Sequence, residues 1–248
     1  MIVAAIIQAR MGSSRLPGKV LRDLDGKSVL RHVIERTRAT KAIDCIVVAT
    51  TSLPKDDAIV AEAERCGAFT YRGSEDDVLS RYYEAARRYA ADVVVRITSD
   101  CPLIDPEVVN DMVERFLASL GKARPLDYIS NTLKRTFPRG LDAEVFTMAG
   151  LERAWLEGVS PAEREHVTPY FYRHPEIYNL GDYLGPGDAS RYRLTLDTPE
   201  DWEVIKRVVQ ALGGARRIIP TREIVRFLED NPKVAAMNAH VEQKPLGA

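Results

Sequence analysis

The stretch that decides the fold is Ile2-Val-Ala-Ala-Ile-Ile-Gln-Ala9, followed directly by Arg10-Met-Gly-Ser-Ser-Arg-Leu-Pro-Gly-Lys19. The first part is apolar, has the length of a buried strand and lacks the basic flank of a signal peptide. The second part is polar, basic and contains two glycines. Ligands of open α/β sheets bind beyond the carboxyl ends of the strands. The stretch therefore predicts a buried leading strand that ends at an anion-binding loop.

The alternation of strand-like and helix-like patterns continues to about residue 122. Strands are expected at 2–9, 43–50, 68–72 and 92–98. Helices are expected at 28–38, 55–66 and 77–89, and from Pro106, with Asp105 as the cap. This rhythm predicts an α/β fold with a doubly wound, mainly parallel (Rossmann-like) sheet flanked by helices.

The rhythm changes in the second half of the chain. Strands are expected at 127–130, 143–147 and 192–196, and helices at 148–156, 161–172 and 199–212. We therefore expect residues 1–248 to form a single domain, in which 123–190 is a small α+β elaboration for acceptor binding or dimerisation. The tail beyond Pro232 is expected to be loosely held.

Composition excludes several classes of function. The 248 residues suit one large domain, and a net charge of -1 offers no basic field for nucleic acid or an acidic membrane. No apolar run reaches the roughly 20 residues of a membrane span. Cys45, Cys66 and Cys101 lack the spacing of a disulfide framework or a zinc site. We expect a reduced, cytoplasmic environment.

The loop after the first strand carries groups that suit a phosphate. Glycines let the backbone approach a ligand, hydroxyls and amides donate hydrogen bonds, and arginine grips phosphate through two bonds. The loop is not a Walker A motif, because its glycines are one residue too far apart and Val20 replaces the required Ser or Thr. A solvated basic turn is the alternative. The residues expected to bind the nucleotide here are Ala9, Arg10, Gly12, Ser13, Ser14, Arg15 and Lys19.

Two aspartates follow predicted strands without being needed as helix caps. Asp100 comes after strand 92–98, while Asp105 caps the next helix. Asp197 comes after strand 192–196, while Thr198 begins a capping box. Mg²⁺ prefers one or two carboxylates together with water and substrate phosphates. The pair therefore predicts a magnesium site, although each aspartate alone could be structural.

The motifs taken together resemble the cytidylyltransferase family that makes CMP-activated ulosonic and sialic acids. Within it, the chain is most similar to the spore-coat-polysaccharide-type branch. The resemblance covers roughly residues 2–212 and rests on the segments 9–19, 96–105, 136–144, 164–169 and 197–201. It implies a magnesium-dependent enzyme that uses CTP, a small sugar acceptor and a homodimeric assembly.

The resemblance also implies residue roles. Arg10 and Lys19 would hold the triphosphate, and Asp100 and Asp197 would hold Mg²⁺; these four are the expected catalytic residues. Segment 72–80, with Arg72 and Ser74, would lie near the cytosine and ribose. Segment 136–144 would contact the acceptor.

Four polar side chains are the candidate acceptor ligands: Arg139, Asp142, Glu144 and His166. Asp142 and Glu144 are expected on one face of a strand, because side chains two residues apart in a strand point the same way. A surface ion-pair cluster is the alternative for the first three. His166 could equally be structural.

Other functions remain compatible with these motifs. A sugar-1-phosphate nucleotidyltransferase that uses another nucleotide would carry a similar loop and aspartate pair. A non-catalytic nucleotide-binding subunit is a further alternative. A metal-dependent glycosyltransferase fits less well, because Asp100 is not part of an Asp-X-Asp pair.

Overall fold

A computed structural model describes residues 1–13 and 15–243. Its strands are β1 (Val3–Gln8), β2 (Asp23–Leu24), β3 (Lys27–Ser28), β4 (Cys45–Thr51), β5 (Phe69–Gly73), β6 (Val93–Thr98), β7 (Tyr128–Ser130), β8 (Glu144–Thr147) and β9 (Leu180–Asp182). The short strands β2 and β3 pair with each other as a hairpin. The other strands form one sheet in the order β5-β4-β1-β6-β8-β7-β9.

The sheet is mainly parallel, as predicted. Strands β5, β4, β1 and β6 pair in parallel, and β7 pairs in parallel with β9. Strand β8 alone runs the opposite way, between β6 and β7. The chain passes from β1 to β4 and β5 on one side and then returns to β6 on the other. The carboxyl ends of β1 and β6 therefore flank the switch point at which such sheets bind ligands.

Helices cover both faces of the sheet. They are α1 (Val29–Arg38), α2 (Asp57–Arg65), α3 (Val78–Arg88), α4 (Pro106–Ser119), α5 (Met148–Glu157), α6 (Pro161–His166), α7 (Pro169–Arg173), α8 (Pro199–Leu212), α9 (Thr221–Asp230) and α10 (Pro232–Ala235). Within the described ranges, no helix is long and apolar enough to cross a membrane.

The leading strand shows why both faces are covered. Val3, Ala5 and Ile7 of β1 pack into a core with α1, α2 and α4. Ala4 and Ile6 point the other way, into a core with α3, α5 and α7. Alternating side chains of a strand point to opposite faces of its sheet. A strand that is apolar at five successive positions, Val3 to Ile7, is therefore buried on both sides, and this run favours a doubly wound sheet.

A third core explains one wrong prediction. Residues 192–196 are not a strand; their bonds go to two loops, with Leu194 N–H donating to Arg139 O (2.6 Å) and Leu196 N–H donating to Asp100 O (2.8 Å). Leu194 and Leu196 are buried against α8 and α9. The apolar alternation correctly indicated burial, but among the described residues this segment forms only one isolated bridge, between Arg193 and Arg139, and no continuous ladder. Asp197 therefore follows an extended loop and not a strand.

Two further predictions differ from the structure. The helix expected at 161–172 is two helices, α6 and α7, because Val167 adopts a left-handed conformation (φ 73°) and Pro169 starts a new helix. The tail beyond Pro232 is not loosely held up to residue 243. It forms α10 and a short 3-10 helix, and Asn238 is buried.

Candidate active site

Two backbone hydrogen bonds to one carbonyl oxygen hold the basic loop in shape. Met11 O accepts hydrogen bonds from the backbone N–H of Ser13 (2.9 Å) and of Gly18 (3.3 Å). Gly18 makes this possible, because its left-handed conformation (φ 67°) is unfavourable for residues with a Cβ. A 3-10 helix, Lys19–Leu21, follows immediately. The loop thus folds back and directs Lys19 toward the switch point. Ser14 lies outside the described residues, so its predicted role stays a prediction.

A buried aspartate that the sequence reasoning missed anchors this loop. Asp56 is fully buried; its Oδ1 accepts from Met11 N–H (2.7 Å), and its Oδ2 accepts from the Thr51 hydroxyl. Asp56 directly precedes α2, and from the sequence alone it would be interpreted as a helix N-cap. Its link to the loop spans 45 positions, and no local pattern indicates it.

Asp100 lies at the carboxyl end of β6, as expected. Thr98 Oγ1 donates to its Oδ1 (2.6 Å), and Lys19 Nζ donates to its Oδ2 (2.9 Å). Asp105 is the cap of α4 and accepts from Glu107 N–H (3.0 Å). The carboxylate of Asp100 is therefore free of any capping role and turns toward the loop.

Asp197 meets Asp100 at the same ammonium group. Lys19 Nζ lies 2.8 Å from Asp197 Oδ1 and 2.6 Å from Leu196 O. The other carboxylate oxygen of Asp197 contacts Arg193 Nη2 (2.7 Å) and Arg15 Nη2 (3.1 Å). Two aspartates separated by 97 positions thus converge on one cation, at the edge of the sheet that the sequence predicted.

The electrostatics of this cluster favour the charged forms. Burial opposes the charge on Lys19, but Asp100 and Asp197 outweigh burial and raise the pKa of Lys19. Burial likewise opposes ionisation of Asp100, yet Lys19 and the Thr98 hydroxyl lower the pKa of the Asp100 carboxyl. Near neutral pH the Asp100 carboxylate is therefore available as an anion.

The oxygen atoms around Lys19 Nζ fit a magnesium ion. Two carboxylate oxygens and one backbone carbonyl oxygen surround a single positive charge. These are the hard oxygen donors that Mg²⁺ prefers, and few protein ligands suffice because phosphates and water complete its shell. The described part of the chain holds no group of three or more His, Cys, Asp or Glu residues that could bind a metal. Asp100 and Asp197 would therefore depend on the substrate for the remaining ligands.

The other predicted nucleotide residues are placed around the loop. Within residues 1–13 and 15–243, the side chain of Arg10 makes no hydrogen bond or ion pair. Arg72 donates to Thr51 O (2.9 Å) and Leu53 O (2.8 Å) and pairs with Asp57 (2.6 Å), so it braces the segment between β4 and α2. Ser74 accepts from Asp77 N–H (3.1 Å). The contacts of these last two residues are structural in this state.

The four candidate acceptor residues have different partners in the structure. Glu144 begins β8 and is buried in an ion pair with Arg96, and its Oε2 accepts from Tyr128 Oη (2.7 Å). Asp142 lies before this strand, where it forms two hydrogen bonds with Arg135 (2.6 and 3.0 Å). The expectation that Asp142 and Glu144 share a strand face is wrong, because β8 begins only at Glu144.

Arg139 and His166 are the remaining members of that set. Among the described residues, Arg139 has no carboxylate within ion-pair distance. Its burial, together with the nearby charge of Arg135, lowers its pKa. Burial also lowers the pKa of His166, and the charges of Arg96 and Arg10 add to this effect. Arg139 thus has a guanidinium without an ion-pair partner among the described residues, although Asp142 and Asp197 are near enough to act on its charge.

Gly140 explains how Arg139 comes so close to residues 194–195. A Cβ at Gly140 would lie 2.3 Å from Thr195 N, and the residue has φ 99°. Any side chain would push the two segments apart.

Cys101, next to Asp100, is buried, and this burial raises the pKa of its thiol well above the ordinary value, as expected of an unreactive cysteine.

Comparison with known proteins identifies the family. The family model described as Cytidylyltransferase matches residues 4–227. This chain belongs to the cytidylyltransferase family. Its relatives in that family include the spore coat polysaccharide biosynthesis protein SpsF of Bacillus subtilis, which is 35% identical over 93% of this chain and 95% of SpsF.

Further members of the cytidylyltransferase family extend this likeness. A 3-deoxy-manno-octulosonate cytidylyltransferase of Anaeromyxobacter is 37% identical, over 68% of this chain and 72% of that protein. The solved structure of a cytidylyltransferase from Leptospira borgpetersenii superposes with a TM-score of 0.89 at 35% identity, covering 99% of both chains. The doubly wound sheet and the family predicted from the sequence are thereby confirmed.

Proposed function

We propose that this chain transfers CMP from CTP to an acidic or modified sugar and releases pyrophosphate, in the synthesis of surface polysaccharide precursors. The observation that carries the proposal is the convergence of Lys19, Asp100 and Asp197 beside the basic loop. The names of two relatives support the proposed reaction and the proposed biosynthetic process. One is named for cytidylyl transfer to 3-deoxy-manno-octulosonate, and another for spore coat polysaccharide biosynthesis.

The basic loop would hold the triphosphate. Arg15 lies 3.1 Å from Asp197, so it is within reach of a phosphate bound between the loop and the aspartates. Arg10 has a side chain without an ion-pair partner among the described residues and can serve the same anion. Lys19 would exchange its carboxylate partners for phosphate oxygens. Together these cations would neutralise the charge that develops on the leaving pyrophosphate.

Asp100 and Asp197 would hold Mg²⁺, which supplies charge neutralisation and polarisation at a phosphoryl group. The acceptor hydroxyl would attack the α-phosphorus of CTP, forming the new P–O bond as the bond to pyrophosphate breaks. Such a transfer needs positioning and electrostatic stabilisation more than covalent catalysis. Thr98 and Arg193 would keep the two carboxylates oriented, through their bonds of 2.6 and 2.7 Å.

Arg139 would bind the acceptor. Its half-buried guanidinium has no ion-pair partner among the described residues. The neighbouring Arg135 and Arg193 are already paired with Asp142 and Asp197, so an added anion would pair with Arg139. A carboxylate on the sugar is such an anion, which is why the proposal favours an acidic acceptor. Glu144 is less suited to this role, because the buried Arg96 already neutralises it.

The proposal is tested by following pyrophosphate release with CTP, UTP, GTP and ATP, each with Mg²⁺ and a panel of acidic sugars, neutral sugars and sugar 1-phosphates. CTP with an acidic sugar should give kcat/KM at least about tenfold above every other pair, because one well-placed set of base contacts discriminates by that much. Mass spectrometry should detect the CMP conjugate. Reactions without acceptor are the control.

Two results would contradict the proposal. A preference for another nucleotide with a sugar 1-phosphate would make the chain a different sugar nucleotidyltransferase. Binding of CTP without pyrophosphate release, across the whole acceptor panel, would instead support a non-catalytic nucleotide-binding subunit.

A further inference from the structure

The segment after α9 returns to the candidate active site. Residues 232–243 form α10 and a 3-10 helix, Ala236–Asn238, whose apolar side chains Val234 and Met237 pack against the core of α8 and α9. Asn238 is only 2% exposed, although asparagine is a mostly exposed residue type. Its burial indicates a specific partner.

The partners of Asn238 lie directly behind Asp197. Asn238 Nδ2 donates to Arg193 O (3.0 Å) and to Asp201 Oδ1 (2.8 Å). Gln243 Oε1 accepts from Arg193 Nη1 (2.9 Å). The segment therefore contacts the backbone and the side chain of Arg193, and also the carboxylate of Asp201.

Arg193 and Asp201 in turn fix Asp197 at two points. Arg193 Nη2 donates to Asp197 Oδ2 (2.7 Å), and Arg193 Nε donates to Asp201 Oδ1 (2.9 Å). Asp201, which is fully buried, accepts the backbone N–H groups of Asp197 and Thr198 on its Oδ2 (3.0 Å each). Arg193 and Asp201 thus hold the carboxylate and the main chain of Asp197. Asn238 contacts both of these residues, and Gln243 contacts Arg193.

We propose that the C-terminal segment 232–243 is a positioning element of the active site, in which Asn238 and Gln243 keep Arg193 and Asp201 in place and thereby orient Asp197 for its cation. The inference rests on the proposed role of Asp197 as a metal ligand. Partners of metal ligands matter because they restrict the ligand to its binding orientation, and their loss typically weakens metal affinity by about ten- to a hundredfold.

The test compares Asn238 with Asn231, the asparagine directly before the segment. Asn238→Ala removes the contacts to Arg193 and Asp201, whereas Asn231→Ala removes a single bond from Nδ2 to Phe227 O (2.8 Å) that has no connection to Asp197. Mn²⁺ binding is measured by water proton relaxation with CTP present and no acceptor. Hydrogen exchange is measured at the amides of Asp197 and Thr198 without metal.

Asn238→Ala should weaken Mn²⁺ binding about tenfold and speed exchange at both amides, and Asn231→Ala should change neither. CTP binding without metal should match the parent in both variants. Gln243→Ala is a second variant that spares the fold because Gln243 is exposed; it should weaken Mn²⁺ binding about twofold.

The outcomes separate the two proposals. If Asn238→Ala kept parental Mn²⁺ affinity and parental amide exchange, the role of the segment would be overturned and the proposed function would stay intact. If Asn238→Ala did not fold, parental Mn²⁺ affinity in Gln243→Ala would have the same meaning. A parental protein that binds no Mn²⁺ with CTP would overturn the metal site, and this inference with it.

Discussion

Replacing Asp100 or Asp197 by asparagine is expected to lower kcat at least about a hundredfold at saturating CTP and Mg²⁺, equivalent to about 3 kcal/mol of transition-state stabilisation. Asparagine keeps the shape of the side chain but removes the negative charge that a dication requires. Lys19 retains one carboxylate partner in either variant, at 2.8 or 2.9 Å, so the fold should persist. Steady-state pyrophosphate release measures the effect.

Asp92→Asn is the matched control for this experiment. Asp92 lies just before β6, at the opposite end of the strand that Asp100 follows, and it accepts from Ile2 N–H (2.6 Å). It should keep parental activity, because it is remote from the carboxyl edge of the sheet. Near-parental turnover in either Asp100→Asn or Asp197→Asn would remove that residue from the metal site.

Replacing Lys19 by methionine is expected to change catalysis and metal binding in opposite directions. Loss of the ammonium should lower kcat/KM for CTP about a hundredfold, because a cation on the triphosphate is lost. Without nucleotide, however, Mn²⁺ should bind at least about tenfold more tightly, since Asp100 loses its cationic partner and Asp197 loses one of its three. Initial-rate kinetics and Mn²⁺ titration of the nucleotide-free protein measure the two effects.

Lys27→Met controls for the loss of a lysine. Lys27 pairs with a single carboxylate, Glu35, at 2.7 Å and takes no part in the contacts of the aspartate pair. It should change neither CTP use nor Mn²⁺ affinity. If Lys19→Met bound Mn²⁺ as weakly as the parent does, Lys19 and the metal would not share the oxygen atoms of Asp100 and Asp197.

Much of the fold follows from local patterns in the sequence. The apolar side chains of β1 must be buried on both faces of the sheet, and the amphipathic helices that alternate with the strands bury them. Asp105 and Thr198 were recognisable as caps, which left Asp100 and Asp197 without a local structural role. The family and the sheet could therefore be predicted because each signal lies within a few residues of the element that it specifies.

The details of the site depend on contacts between distant residues, which local patterns do not encode. Lys19 was expected to bind phosphate, but the bond to Asp197 across 178 positions shows that it also joins the aspartates. Asp56 looks like a helix-start residue until its contact with Met11 is seen. Glu144 looked available for a substrate, because Arg96, 48 positions away, is recognisable as its partner only in the folded sheet.

The most direct test of the central claim is a crystal structure of the protein with CTP and Mg²⁺. The claim is that the basic loop and both aspartates act on one triphosphate. One metal should lie about 2.1 Å from a carboxylate oxygen of Asp100 and of Asp197, with Lys19 Nζ moved onto a phosphate oxygen. A nucleotide bound elsewhere, with Lys19 still between the two carboxylates, would contradict the account.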